Sequence, residues 1–329
     1  MIGTTDKVII VTGGAGFVGA NLVKRINLQG LYQVVIIDQY EEKRFANLLG
    51  LSFIDFLSYL KGFDYLEQEM NRYQVAAILH MGANADVLTK DATSMMHANY
   101  DHSRFYLQYC QQHAIPLIYA SSSAVYGHSN RCLVNSSDEH PHNIYAWSKW
   151  LFDQHVLNNS SRFNSKVIGL RFFNIFGMGE SHKGKNASLP HRFYKFIQET
   201  SAIDLFDEEI WRDYVSVDDV TQVIMDALGD PSLAIGIYNL GSGHAIAHHE
   251  LAQLVADVFI DSGIKTAEDI RINKIPLPET LVDKFQFYTQ AEQLPEFVKK
   301  YTADNAGKIK HYLRQMIALE YQGRVPVNI

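Results

Sequence analysis

Along the first half of the chain, continuous apolar runs alternate with apolar positions at helical spacing. "KVIIVT" (7–12) is a short β-branched run of the kind that forms a strand buried on both faces. "GFVGANLVKRINLQG" follows, with apolar residues at 17, 18, 22, 23 and 26, and predicts a helix that Gly30 ends. "YQVVIID" (32–38), "VAAILH" (75–80) and "PLIYASS" (116–122) repeat the strand signal. Between the last two, "DATSMMHANYDHSRFYLQYCQQH" predicts one long helix. "NIYAWSKWLFDQHVLNN" predicts another, ahead of a single strand over "KVIGLRFFNIFG" (166–177). Such alternation implies right-handed crossovers and a doubly wound α/β fold, a parallel sheet covered by helices on both faces.

After Gly177 the pattern changes. "GMGESHKGKNAS" is a glycine- and lysine-rich loop without core periodicity. "SLPHRFYKFIQET" predicts a helix capped by Ser188 with Pro190 in its first turn, and "SVDDVTQVIMDALG" opens on a Ser216–Asp219 capping signal. Short strands and helices follow, ending in an amphipathic helix near 303–319. This change divides the chain into residues 1–177, rejoined by segments near 213–240, and a smaller α/β lobe over 178–329.

Composition narrows the choice. A chain of 329 residues with 47% hydrophobic and 20% charged content is that of an ordinary globular protein. Its 29 basic and 36 acidic residues give a formal charge of -7, which does not attract a polyanion, so nucleic acid is not an expected partner. The 2 cysteines, Cys110 and Cys132, form no Cys-x-x-Cys pair, which suits a reducing compartment and argues against a zinc site. No apolar run reaches the ~18 residues of a membrane span. The first residues run straight into a strand without a signal-peptide cleavage region, so a cytoplasmic location is expected.

Gly13, Gly16 and Gly19 stand between a buried strand and a helix. They make either a tight turn alone or a cradle for a pyrophosphate at a helix start. Asp38 ends the next strand, where an acid accepts hydrogen bonds from an adenosine ribose, and this order of features favours the cradle. Asp38 leans toward NAD. Lys43 and Arg44 either neutralise a 2′-phosphate, favouring NADP, or form a solvated basic pair.

"IYAWSKW" places Tyr145 and Lys149 at i and i+4 on one helix face. A nearby ammonium lowers the phenol's pKa from ~10 and makes Tyr145 a usable proton carrier. Ser122, ending "LIYASS", is placed to donate to the same substrate oxygen.

"TGGAGFVG", "YASSSAVYG", "YAWSK" and "LRFFNIFG" resemble, in order and spacing, the motifs of the extended branch of the short-chain dehydrogenase/reductase superfamily. The resemblance implies a Rossmann-like dinucleotide-binding domain over 1–177 and a substrate-binding lobe over 178–329. It implies catalysis by Ser122, Tyr145 and Lys149, with Lys149 also on the nicotinamide ribose. Carried over by motif, the cofactor contacts are Gly13, Gly16, Phe17, Val18, Gly19, Asp38, Gln39, Arg44, Asn99, Lys149 and Ile175, and Asn99 in "HANYDHSR" also resembles the branch's structural asparagine in the long helix. A 4,6-dehydratase of this branch has an Asp–Glu pair where this chain has Ser123–Ala124. A 4-epimerase fits the triad and leaves the lysine-rich loop unexplained.

"FNIFGMGESHKGKNAS", "WRDYVSVDDV", "YNLGSG" and especially "DKFQFYTQAE" resemble the ADP-L-glycero-D-manno-heptose 6-epimerase family over nearly the whole chain. That resemblance implies NADP, with NAD as the alternative, an ADP-heptose substrate, a homo-oligomer and a place in lipopolysaccharide core synthesis. It makes Lys183 in "SHKGK" a second base, across one cavity from Tyr145. The two bases would move the hydroxyl proton while carbon 6 is transiently oxidised and its other face reduced. Asn174, Lys185, Arg192, Arg212 and Phe285 become substrate contacts, Arg212 on the diphosphate. Lys185 stands where the family often has Ser, Arg192 where it has His, and Phe285 where it has Tyr; the segment before "WRD" is short. Outside this class, a cofactor-sensing relative typically lacks the Tyr or the Lys. His244, His248 and His249 lack an ordered acid or cysteine to complete a metal site, and "HAIAHHE" reads as the exposed start of a helix.

Overall fold

The computed structural model describes residues 6–87, 89–134, 137–279 and 286–321. Seven strands make the central sheet: β1 (Lys7–Thr12), β2 (Gln33–Asp38), β3 (Asp55–Ser58), β4 (Gln74–His80), β5 (Leu117–Ser122), β6 (Val167–Phe172) and β10 (Gly236–Leu240). Their order is β10-β6-β5-β4-β1-β2-β3, with every neighbouring pair parallel. The connections run outward in opposite directions from β1 and β4. That reversal opens a crevice at their carboxyl ends, where doubly wound folds hold ligands.

Alternation along each strand explains the unbroken apolar runs. Ile9, Val11, Val34 and Ile36 feed a core on one face, while Val8, Ile10, Val35 and Ile37 feed a second core on the other. The first core is closed by α1 (Phe17–Gln29), through Leu22, Val23 and Ile26, and by α8 (Val217–Gly229). The second is closed by α3 (Phe63–Met70), α5 (His102–His113) and α6 (Ile144–Asn159). Two short helices, α2 (Glu42–Phe45) and α4 (Ala92–Met96), sit beside the crevice rather than over a core.

A third core holds the rest together. It packs α7 (Leu189–Thr200), α9 (His248–Asp261) and a helix over Asn305–Glu320 against Phe176 and Tyr214. The strands here are β7 (Asn174–Phe176), β9 (Trp211–Ser216) and β11 (Ala245–Ala247) in one sheet, ordered β11-β9-β7, and a pair formed by β8 (Ala202–Phe206) and β12 (Arg271–Ile275).

The capping signals act as their chemistry dictates. Ser216 Oγ accepts from Asp219 N at 3.1 Å, Ser188 caps α7 through His191 N, and Gly30 closes α1 in the left-handed region at φ 64°. Each side-chain cap contributes about 1 kcal/mol. Two expectations need correction. The strand read over 166–177 is two strands in different sheets: at Phe173 the chain donates to Leu240 O (3.0 Å), and β7 then pairs with β9. The long helix before β5 is α4 and α5 joined by one π-helical turn, His97–Asp101.

Candidate active site

The crevice between β1 and β4 is a groove of about 780 Å3. Gly13, Gly16, Phe17, Val18 and Gly19 form one wall, Met81 to Asp86 the opposite one, and Asp38, Gln39, Glu41 and Arg44 one end. Two close approaches shape it. Gly13 lies at φ +67°, and a Cβ there would come within 2.7 Å of Gly82 backbone. A Cβ on Gly19 would sit 2.0 Å from Gly13 O. Gly16 is the N-cap of α1, which has no side-chain cap, whereas α6, α7 and α8 each have one. The helix start therefore keeps its N–H donors and positive potential for an anion. These features fit a dinucleotide pyrophosphate.

Asp38 is buried at that end of the groove. Its Oδ2 accepts from Ala15 N (2.9 Å) and its Oδ1 from Gln39 N (2.8 Å). Burial pushes its carboxyl up, against those two N–H bonds and Arg44. The floor is Thr12 and His80, with Ser103 buried behind His80. Ser103 Oγ donates to Asn99 O (2.5 Å) and so accepts from His80 Nε2–H (2.9 Å). That leaves Nδ1 of the neutral ring to accept from Thr12 Oγ1 (2.6 Å), which also accepts from Gly82 N. Burial and the nearby Lys149 ammonium hold this imidazole neutral, well below the usual histidine range.

Asn99 was expected on the cofactor. It is buried in the π-helical turn with its amide engaged inside the protein: Oδ1 accepts from Asn84 N (2.8 Å), and Nδ2 donates to Asn84 O and Ser148 Oγ (both 2.9 Å). It is a strut between the groove wall and α6. Ile175, on β7, does not line the groove.

Ser122 ends β5, and Asn143 starts α6 by accepting from Ala146 N at 2.8 Å. This brings the Tyr145 and Ser122 side chains into a hydrogen bond. Lys149 Nζ donates to Ala120 O (2.8 Å), and burial lowers its pKa to about 8 against the pull of Asp153. The expected lowering of the phenol by Lys149 is not found. Burial raises Tyr145, and the bond with Ser122 is what opposes it. Tyr145 is therefore a neutral phenol at rest, a proton donor before it is an acceptor.

Sequence reasoning missed Asp153, which continues the series 145, 149, 153 along α6. Its carboxylate accepts from Tyr119 Oη (2.9 Å), Ser121 Oγ (2.8 Å) and Arg171 Nε (2.8 Å), and Arg171 also pairs with Glu139 at 2.7 Å. Residues 81–86 were missed too, although they follow the strand end "AILH", where such folds place ligands.

Lys183 lies in 3-10 turns over Ser181–Asn186. Its ammonium sits 3.1 Å from Glu180 Oε2 and 4.8 Å above the Phe17 ring, and it lines the groove, which Ser122, Tyr145 and Lys149 do not. The two expected bases thus occupy separate places here. Glu180 is buried and organises the loop, also accepting from Gly177 N, Ser188 N and Ser188 Oγ. Lys185 is exposed on the same turns.

On the face of β9, Arg212 donates to Trp211 O and Gln286 O, not to Asp213. Burial lowers its pKa to about 10. Asn174 donates to Asp213 O at 3.0 Å. Arg192, on α7, lies 5.6 Å over the Phe196 ring. His248, expected in an exposed helix start, is half-buried; burial, then Arg212 and Arg192, push its pKa down to about 3. Among the described residues, its Nε2, the Tyr214 hydroxyl and Gln286 Nε2 are buried without a hydrogen-bond partner. Phe285 falls outside the described residues.

Asp213 points the other way and joins three motifs. Its carboxylate accepts from Ser242 N (2.7 Å), Ser242 Oγ (2.6 Å), Gly243 N (2.9 Å) and Ala291 N (2.9 Å). Among the described residues, no group of three His, Cys, Asp or Glu is placed to hold a metal, and no helix is long and apolar enough to cross a membrane.

Comparison with known proteins agrees with this geometry. The chain is 35% identical over 291 residues to a Brachyspira hyodysenteriae protein named ADP-L-glycero-D-manno-heptose-6-epimerase, covering 86% of this chain and 89% of that one. A protein of the same name from Alkalilimnicola ehrlichii is 35% identical over 292 residues, covering 86% and 88%. The Helicobacter pylori enzyme of that name superposes with a TM-score of 0.80 at 26% identity, over 94% of this chain and 96% of that one. A UDP-N-acetylglucosamine 4-epimerase from Methanobrevibacter ruminantium also gives 0.80, at 21% identity over 96% and 100%, and so shares the fold. The NAD dependent epimerase/dehydratase family matches residues 9–241, and the chain belongs to it.

Proposed function

We propose that the protein is an ADP-glyceromanno-heptose 6-epimerase, converting ADP-D-glycero-D-manno-heptose to its L-glycero epimer. The observation that carries this reading is a groove shaped for a dinucleotide with Lys183 on its lining, in a chain that also pairs Tyr145 with Ser122 outside that lining. When a transient aldehyde turns its other face to the hydride, its oxygen moves as well, and a second proton carrier can meet it there. The similarity to curated proteins of that name over 86% of the chain supports it.

When bound, the nicotinamide dinucleotide supplies reversible oxidation at carbon 6, with no net redox change per turnover. The protein's own residues do the rest. Gly13, Gly16 and the start of α1 hold the pyrophosphate, and Asp38 holds the adenosine ribose. Tyr145, hydrogen-bonded with Ser122, and Lys183 exchange the hydroxyl proton from opposite sides. For that, Lys183 leaves Glu180 as the loop over 181–186 folds toward the sugar. Lys149, charged below about pH 8, stabilises the phenolate as it forms. Arg192, Arg212 and the unpartnered His248, Tyr214 and Gln286 atoms receive the substrate diphosphate and sugar, with Asn174 beside them. Lys185 and Phe285 remain proposed substrate contacts from motif alone. In this role the protein works as a cytoplasmic homo-oligomer supplying heptose to lipopolysaccharide core.

The test is incubation with ADP-D-glycero-D-manno-heptose and NMR of carbon 6. Appearance of the second epimer is the expected result. Turnover of a UDP-hexose at carbon 4 with no change in the heptose would refute the reading.

A further inference from the structure

We infer that the dinucleotide this chain takes is NAD rather than NADP, and that Glu41 is the residue that sets the choice. The inference rests on the groove being a nicotinamide-dinucleotide site. It replaces the expectation of NADP that came from resemblance.

The two cofactors differ by one phosphate on the adenosine 2′-oxygen, a group carrying about -1.5 to -2 charges at neutral pH. It needs cations with their donors available. At the end of the groove the arrangement is the opposite. Asp38 and Glu41 both line it, and Arg44 bridges them, with Nε 2.7 Å from Glu41 Oε2 and Nη1 3.5 Å from Asp38 Oδ1. Glu41 is fixed in turn, since Gln39 Nε2 donates to its Oε2 (2.7 Å) and Tyr59 Oη donates to Gln39 Oε1 (3.1 Å).

Two carboxylates and one guanidinium leave a local charge of minus one. Glu41 occupies the Arg44 edge that a 2′-phosphate would use, so the protein carries its own anion there. A ribose with free hydroxyls has the opposite needs. Asp38 keeps lone pairs to accept from it, and nothing has to move. Among the described residues, no other charged cation relieves the clash. Lys43 is exposed and does not line the groove. His182, bonded with Asn47 at 3.0 Å, is held below the usual histidine range by burial, Arg44 and Lys183, and so is neutral. Lys183 is paired with Glu180 at rest and is assigned to the sugar, not the adenosine, in turnover. Admitting NADP requires Arg44 to leave Glu41, which then faces the phosphate unpaired.

Equilibrium titration of the full chain, stripped of bound nucleotide, with NAD+ and NADP+ separately tests this without any sugar substrate. The wild-type protein is expected to bind NAD+ at least about tenfold more tightly. Glu41→Gln keeps the shape and removes the charge, freeing Arg44. It is expected to tighten NADP+ binding by about tenfold or more while changing NAD+ binding far less. Adding Arg44→Ala to Glu41→Gln should take that gain away. Wild-type protein that prefers NADP+, or a Glu41→Gln variant with an unchanged NAD+/NADP+ ratio, would overturn the inference. Wild-type protein that binds neither dinucleotide would overturn the reading of the groove itself, a separate failure.

Discussion

The cofactor groove and the face of β9 are built in opposite ways. At the groove the acids have partners: Asp38 takes two backbone N–H groups and Glu41 takes Arg44 and Gln39, while Glu180, behind the lining Lys183, takes Lys183 and Ser188. Around β9, Tyr214 Oη, His248 Nε2 and Gln286 Nε2 are buried and find no partner among the described residues near Arg212. Buried polar atoms without partners cost about 1–3 kcal/mol each. The difference teaches that the groove satisfies its acids within the protein and keeps backbone donors for a ligand, while the β9 face keeps side-chain atoms unpaired.

Breaking the catalytic side should produce the largest effect. Tyr145→Phe and Lys183→Met are each expected to lower turnover by about 10²–10⁴-fold while leaving dinucleotide affinity intact, as read by steady-state kinetics beside cofactor titration. Comparable activity in either variant would remove that residue from the chemistry. Next comes the β9 face. Arg212→Ala should raise the KM for the nucleotide sugar by about 10–150-fold through loss of charged hydrogen bonds, with the cofactor titration unaffected. Parallel weakening of both ligands would erase the contrast between the two regions.

A pH profile sharpens it further. Lys149, with a pKa of about 8, sheds its proton as pH rises through that value, so kcat/KM should fall on the alkaline side near pH 8. Asp153 raises that pKa, so Asp153→Asn should move the alkaline limb to lower pH. The stability sign is the reverse. Below about pH 8 the lysine is charged in folded and unfolded chains alike, and its burial is unfavourable. Between about 8 and the ordinary 10.5 the unfolded chain holds the extra proton, so stability relative to Lys149→Met should rise with pH across that window. The smallest effect belongs to Ser216→Ala, which should cost about 1 kcal/mol of unfolding free energy and change neither ligand's affinity.

What the residues revealed in advance follows from their local character. The strands β1, β2, β4 and β5 are legible because a two-sided burial demands an unbroken β-branched run, and Gly30, Ser188 and Ser216 mark helix ends by their own chemistry. The glycine turn and Asp38 were legible because their spacing is set by one strand–helix–strand unit. The break at Phe173 was not, since an aromatic run reads as continuous and only the partners Leu240 and Tyr214 divide it. The grip of Glu41 on Arg44 was hidden for a different reason: neighbouring charges in sequence do not say which atoms they meet. Asp153 and His248 owe their surroundings to Arg171, Arg212 and Arg192, which arrive from distant segments.

Asp213 has a consequence for grafting. Because one carboxylate fastens "WRD" to the "GSG" turn and to Ala291, those three stretches form a single transplantable part. A chimera whose imported segment lacks the carboxylate at position 213 would leave the Ser242, Gly243 and Ala291 amides without their acceptor.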